Sequence, residues 1–191
     1  MKDVYVEDMT FDKVNFSEAP LAKGDYQNCN FKNCDISNLD LSEIKFESCS
    51  FTNCNLSLAT INKSALRDIK FDSCKMLGLR FDQCNSLGLT FSFENCVLNH
   101  STFYGLKIKK TTFSNCQLLD TDFTKTDLTK SVFDKCDMTN ATFENTVLEQ
   151  VDFRTAFNFR IDPTINRMKK SKFSLSGVAG LLERFDIEIE S

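Results

Sequence analysis

A large apolar residue recurs at every fifth position from Phe11 onward, and no other feature restricts the fold so severely. The centres run Phe11, Phe16, Leu21, Tyr26, Phe31, Ile36 and Leu41, and continue in step to Phe81. The frame then slips by two residues, resumes at Phe93 and runs through Leu98, Phe103, Ile108 and Phe113 to Phe153. All twenty-eight centres are apolar in a chain that is 41% hydrophobic. Helical faces recur every 3.6 residues and strand faces every 2, so neither regular element accommodates this period. The position two before each centre is mostly small and holds eight of the 9 Cys, while the ninth, Cys84, stands in the same phase two before Ser86. The other three positions are largely Asp, Asn, Ser, Thr, Lys and Glu. Each unit therefore reads as a short extended segment with two inward side chains, followed by a turn that lets the next unit face inward again.

The number of sides per coil follows from the columns. Taking every fourth centre and honouring the slip gives Phe11, Phe31, Phe51, Phe71, Phe93, Phe113, Phe133 and Phe153, all Phe. A period of ten in the second half leaves a two-sided coil open on Phe spacing alone. The small slot ahead of the neighbouring column separates the two, because it reads Cys34, Cys54, Cys74, Cys96, Cys116 and Cys136 only if a coil is twenty residues long. Four sides are predicted, with the insertion looped out.

Thr121-Asp122-Phe123-Thr124-Lys125, Thr126-Asp127-Leu128-Thr129-Lys130 and Cys136-Asp137-Met138-Thr139-Asn140 resemble the units of pentapeptide-repeat proteins, Ala-(Asp/Asn)-Leu-X-X. The resemblance spans Phe11 to Phe153. It implies an all-β solenoid, a right-handed quadrilateral β-helix of about seven coils with a short C-terminal helix. Coils spaced like neighbouring strands, ~4.8 Å apart, would make a rod of roughly 30–35 Å. Residues 1–160 are expected to form the β-helix, with a small insertion at 85–92, and residues 161–191 a C-terminal cap and dimerisation segment.

Composition removes several function classes. A net charge of −4 argues against direct nucleic-acid binding, which needs clustered Lys and Arg. The single histidine, His100, leaves no scheme that requires two imidazoles. No apolar run reaches the ~20 residues of a membrane span, and Met1–Asp8 lacks the apolar core of a signal peptide, so a cytoplasmic protein is expected. Cysteines stacked ~4.8 Å apart are too distant for disulfides and too linear to surround a metal ion, and they read as small core fillers. No nucleophile elbow, phosphate loop or HExxH occurs. No catalysis, cofactor, metal or small-molecule substrate is expected.

Recognition is expected instead, and three sets of residues are candidates for it. Ser86, Leu87, Gly88 and Leu89 form a loop in the insertion, and loops on rigid scaffolds often carry contacts. Leu175, Val178, Leu181, Leu182 and Phe185 make one stripe on a short helix that Ser174 or Ser176 would cap. Asp120, Asp122, Asp127, Asp134 and Asp137 are the densest acidic band. Net charge alternates along the chain, −5 over residues 1–60, +4 over 61–119, −5 over 120–153 and +2 over 154–191. Val4 and Val6 are read as the start of the first coil, and Asp186–Glu190 alternates like an edge strand.

The ending sharpens the resemblance. Ile161-Asp162-Pro163-Thr164-Ile165-Asn166, Lys172-Phe173-Ser174 and Gly180-Leu181-Leu182 are similar to the tail of Qnr-type quinolone-resistance proteins. That similarity implies a homodimer through Leu175, Val178, Leu181, Leu182 and Phe185, giving a two-fold rod. It implies binding to DNA gyrase or topoisomerase IV, in part as a mimic of duplex DNA. The alternative is a scaffolding module of the same fold with an unrelated protein partner.

Overall fold

The computed structural model describes residues 3–188, and its strands are as short as the five-residue unit demands. Thr10–Asp12, Asn30–Lys32, Ser50–Thr52, Ile69–Asp72, Phe91–Glu94, Thr112–Ser114 and Val132–Asp134 stack as a parallel sheet on the first side of the coil. Its register pairs Phe11 with Phe31, Phe31 with Phe51 and Phe51 with Phe71, a constant step of twenty. Phe71 pairs with Phe93, absorbing the slip, and Phe93 pairs with Phe113. Single bridges build the second side through Asn15, Asp35, Asn55 and Lys75, and the third through Arg80, Thr102, Asp122 and Thr142. The fourth side begins as a sheet of Val4–Glu7, Gly24–Gln27, Lys45–Glu47 and Ala65–Arg67, and resumes as Lys107, Asp127, Val147 and Arg167. The protein is a four-sided parallel β-solenoid of about seven coils with a short C-terminal helix.

The core is a stack of rings. Phe31 and Phe51 lie 4.6 Å apart at 6°, Phe113 and Phe133 4.7 Å apart at 4°, and Phe133 and Phe153 5.1 Å apart at 2°. From Phe81 onward the third side adds Phe103, Phe123 and Phe143, stacked at 4.6–5.1 Å. The two columns face each other across the coil and meet edge to face, as Phe103 and Phe113 do at 5.9 Å and 87°. Burying each ring contributes about 1.5–3 kcal/mol, and well-placed aromatic pairs add about 0.5–1.5 kcal/mol.

Backbone and small side chains are accounted for coil by coil. The residue two after a centre turns the corner in the left-handed region, as Asn53 (φ 54°), Asn95 (53°) and Asn115 (52°) do. Asn tolerates that conformation because its amide bonds locally. Here those amides also form ladders, Asn53 Nδ2 donating to Asn33 at 2.7 Å and Asn115 Nδ2 to Asn95 at 2.8 Å. The inward slot two before each centre has a further property beyond size. Where the slot holds a polar residue or Cys, its side chain can donate to a centre carbonyl in the coil below: Cys74 Sγ to Phe51 O (3.3 Å), Ser64 Oγ to Leu41 O (2.7 Å), Thr126 Oγ1 to Phe103 O (2.8 Å) and Asn166 Nδ2 to Phe143 O (2.8 Å). Cys, Ser, Thr and Asn are interchangeable there because each is small and carries a donor. Among the described residues no buried side-chain nitrogen or oxygen lacks a partner.

The insertion corrects one expectation. It is not simply looped out, because Leu89 and Phe91 turn inward and are buried. Ser86 occupies the fourth-side position where an apolar centre is due, and it is exposed. Phe91 pairs in register with Ile69 in the first-side sheet, and Leu89 is buried just ahead of it. The Phe91 ring lies 5.4 Å from Phe81 and 5.1 Å from Phe93. Leu89 is therefore a core residue and not a loop contact.

Coil pairing also runs past residue 160. Val147 bridges Arg167, Asp152 bridges Lys172, and Phe173 stacks on Phe153 at 5.2 Å and 11°. Residues read as cap thus include a further turn of solenoid. The end is sealed by Phe159, buried, with the chain around Gly177 and Gly180 laid across it. A Cβ at Gly180 would stand 2.2 Å from the Phe159 carbonyl oxygen, so only glycine permits the approach. The helix is shorter than expected, Ala179–Leu182, followed by a 3-10 turn over Glu183–Phe185. Ser174 Oγ accepts from Gly177 N in the preceding turn, and no side chain caps the helix itself. Asp186–Glu188 forms no strand; Ile189 and Glu190 lie outside the described residues.

Candidate interaction surfaces

The acidic band does not make a face. Asp134 lies on the first side, Asp137 on the second, Asp122 on the third and Asp127 on the fourth, each fixed by its ladder partners. Asp120 turns a corner at φ 53°, with His100 Nδ1 3.6 Å from its carboxylate. Most of these carboxylates are occupied by their own turns. Asp122 Oδ1 accepts from Thr124 N at 2.8 Å, and Asp127 and Asp137 accept both the N–H and the hydroxyl of Thr129 and Thr139. Asp35 shows the electrostatic consequence: bonds from the Ser37 hydroxyl and N–H hold its carboxyl below the usual 3.8. At Asp127 burial opposes ionisation, yet Thr129 and Lys109, 3.1 Å away, keep its carboxyl below that value as well. The acidic residue preceding each centre is thus a turn brace first.

Five of the eleven exposed large apolar side chains among the described residues gather at the C-terminal end. Leu175 is 92% exposed, and Phe185, Ile187, Ile165 and Phe157 are also exposed. Val178, Leu181 and Leu182 are half-buried, and Leu181 packs against the core. The predicted stripe therefore divides: part closes the solenoid, while Leu175 and Phe185 face outward. Phe157 and Ile165 lie outside any helical stripe, and only their place at the end of the coil stack reveals them. A cleft of about 630 Å³ lies between the helix and the last coils, lined by Asn140, Asn158, Phe159, Gly180, Leu182 and Ile187. Arg160 pairs with Glu183 at 2.9 Å, and Arg184 pairs with Asp162, clamping the tail onto the coil.

In the insertion, Ser86, Leu87 and Gly88 are exposed, Leu87 by 72%. Asn85 Oδ1 braces the turn by accepting from Leu87 N at 3.0 Å, and Gly88 adopts φ 73° against the Arg67 side chain. All nine cysteines are free and buried. Burial pushes the Cys49 thiol up to about 11 and the Cys84 thiol to about 12. Among the described residues no group of His, Cys, Asp and Glu is placed to hold a metal ion, and no helix is long and apolar enough to cross a membrane.

Family models decide what kind of solenoid this is. A model of the pentapeptide repeat region matches residues 44–118 and 89–156, and one of eight pentapeptide copies matches residues 15–53. The chain belongs to the pentapeptide-repeat family. No curated protein sequence matches it. Among solved structures this pentapeptide-repeat protein is similar to QnrB1, a plasmid-mediated fluoroquinolone resistance protein. That match has 17% identity, covers 98% of both chains and has a TM-score of 0.53. HetL, a pentapeptide-repeat protein involved in heterocyst differentiation regulation in the cyanobacterium Nostoc, matches at 13% identity over 91% of this chain and 88% of its own, with a TM-score of 0.42. The QnrB1 likeness agrees with the solenoid and its end-to-end extent.

Proposed function

We propose that this pentapeptide-repeat protein is a non-catalytic, partner-binding rod. In this reading it associates end to end through its C-terminal surface and engages a type II topoisomerase, modulating its sensitivity to quinolones. The observation that carries the dimer is the exposed apolar residue set Leu175, Phe185 and Ile187 beyond an already sealed last coil. A sealed end has no need of further apolar surface, and such patches on soluble folds mark contacts. The topoisomerase reading rests on the likeness to QnrB1 along the whole chain. Supercoiling by purified gyrase, with and without a fluoroquinolone, tests it. Restored supercoiling on adding the rod is expected; no effect at rod concentrations well above the enzyme's would refute it.

The second reading is a scaffolding module with a different protein partner. The scatter of Asp122, Asp127, Asp134 and Asp137 over all four sides favours it, because these carboxylates do not form the continuous row on one side that imitation of duplex DNA requires. The supercoiling assay separates the two readings, and charge reversal tests whether the acidic band takes part. Topoisomerase binding that survives Asp120→Lys with Asp134→Lys would show that a Qnr-like contact does not use this band.

A further inference from the structure

The fourth side of the solenoid is dipolar, a property that the segment-by-segment charges do not reveal. The twenty-residue register stacks Lys107 on Asp127, Asp127 on Val147 and Val147 on Arg167, and so gathers basic residues from distant stretches of sequence. Lys107, Lys110, Lys130, Lys169 and Lys170 are all exposed on this side or its corner. Below them the same side carries Glu7, Asp8, Glu47 and Asp68, also exposed. None of these nine residues enters an ion pair among the described residues. Four coils, centred on Val6, Tyr26, Phe46 and Leu66, precede the insertion, and four, centred on Ile108, Leu128, Leu148 and Met168, follow it. The midpoint is the insertion itself, where Leu87 is 72% exposed.

We propose that this side is an interface between two copies of the chain lying side by side and antiparallel. An isologous contact requires a surface complementary to itself after a half-turn, with the residue on the axis meeting its own copy. A side that is net acidic at one end (five carboxylates against Lys45 and Arg67), net basic at the other (seven cations against Asp127 and Glu149) and apolar at Leu87 has that symmetry. The half-turn about Leu87 sets Lys169 and Lys170 against Glu7 and Asp8 of the second copy, and Lys107 and Lys110 against Asp68. A groove of about 360 Å³ in the acidic half is lined by Tyr5, Asp25, Gln27 and Glu47 together with Lys45 and Arg67, and the half-turn sets Lys45 against Asp127 of the second copy. A free polyanion would satisfy the basic half alone and leave Leu87 and the acidic half without a role. This side has nine rungs, counting the incomplete first and last coils that carry Val6 and Met168, and at ~4.8 Å each with a width of about 12 Å they give roughly 500 Å² per partner. The total of about 1,000 Å² is at the lower limit for a specific interface, so the pair is weak and salt-sensitive.

Sedimentation velocity of full-length Leu175→Asp protein, which lacks the end contact, reads this interface alone. Dimerisation at low salt is expected, weakening about tenfold or more on raising ionic strength. Lys169→Glu with Lys170→Glu, and separately Glu7→Lys with Asp8→Lys, should each give monomers, and mixing the two variants should restore a heterodimer. Leu87→Cys should form a disulfide-linked dimer with diamide, whereas Leu58→Cys, at a comparably exposed corner, should not. Self-association of either charge variant, failure of the mixture to pair, or equal cross-linking at both cysteines would overturn the proposal.

Discussion

At the scale of single residues, the inward slot two before each centre is a hydrogen-bonding position as well as a small one. Asn166 makes the case most strongly: Nδ2 donates to Phe143 O and Asp162 O, and Oδ1 accepts from Thr146 N at 2.8 Å. Asn166→Ala should cost about 2–3 kcal/mol in urea unfolding, and Thr126→Val about 1 kcal/mol, since its hydroxyl makes one buried bond. Cys74→Ala should cost less than either, because S–H is a weak donor. The turn aspartates and the thiols set the pH limits of stability from opposite sides. Asp35 and Asp152 have carboxyls held below 3.8, by Ser37 and by Arg154 respectively, so their contribution is present above that value and lost as pH falls through the folded-state pKa. Cys49 is raised from 9.0 to about 11, so its contribution is full below pH 9.0 and lost as pH rises through about 11. Tm should form a plateau between those limits, and Cys49→Ser should shallow the alkaline decline. Thiol titration should find none of the nine cysteines reactive in the native protein and all nine in denaturant.

At the scale of elements, the repeat made most of the solenoid legible. The Phe column from Phe11 to Phe153 and the Cys column beside it specify four sides, because stacked side chains need identical environments in successive coils. Phe113→Ala should cost about 3–5 kcal/mol and Phe113→Leu much less, since leucine retains most of the volume. The inward turn of Leu89 and Phe91 was not legible, because the period counts residues and does not say which of the residues in an insertion turn into the core. The last coil was legible in principle: Met168 and Phe173 stand twenty residues after Leu148 and Phe153, and Asn166 sits in the donor slot. Pro163 and the polar stretch around it obscured that continuity, since an apolar centre is missing there. The end seal depends on backbone approach, which residue type alone signals poorly. Gly180→Ala should lower Tm and increase hydrogen exchange at Ile161 N, whose partner is Gly180 O, while exchange near Phe51 stays unchanged.

At the scale of the whole molecule, the composition is architectural and recognition lies in what the coils leave outside. The acidic residues that drew attention as a band are distributed around the rod by the twenty-residue register, and the same register collects lysines that are far apart in sequence. Sequence segments therefore misreport surface charge in a solenoid, where each side samples every coil. Stability should follow nearest-neighbour coil contacts, so lesions in the middle and at the end should be separable. Two surfaces remain for partners, the apolar C-terminal end and the dipolar fourth side, and they predict different shapes. Small-angle X-ray scattering at high salt, where the lateral contact is weakened, tests the rod and its end-to-end association together. A particle with a maximum dimension about twice that of Leu175→Asp and an unchanged cross-section is predicted. An unchanged maximum dimension would contradict end-to-end association, and a compact, isotropic particle would contradict the solenoid.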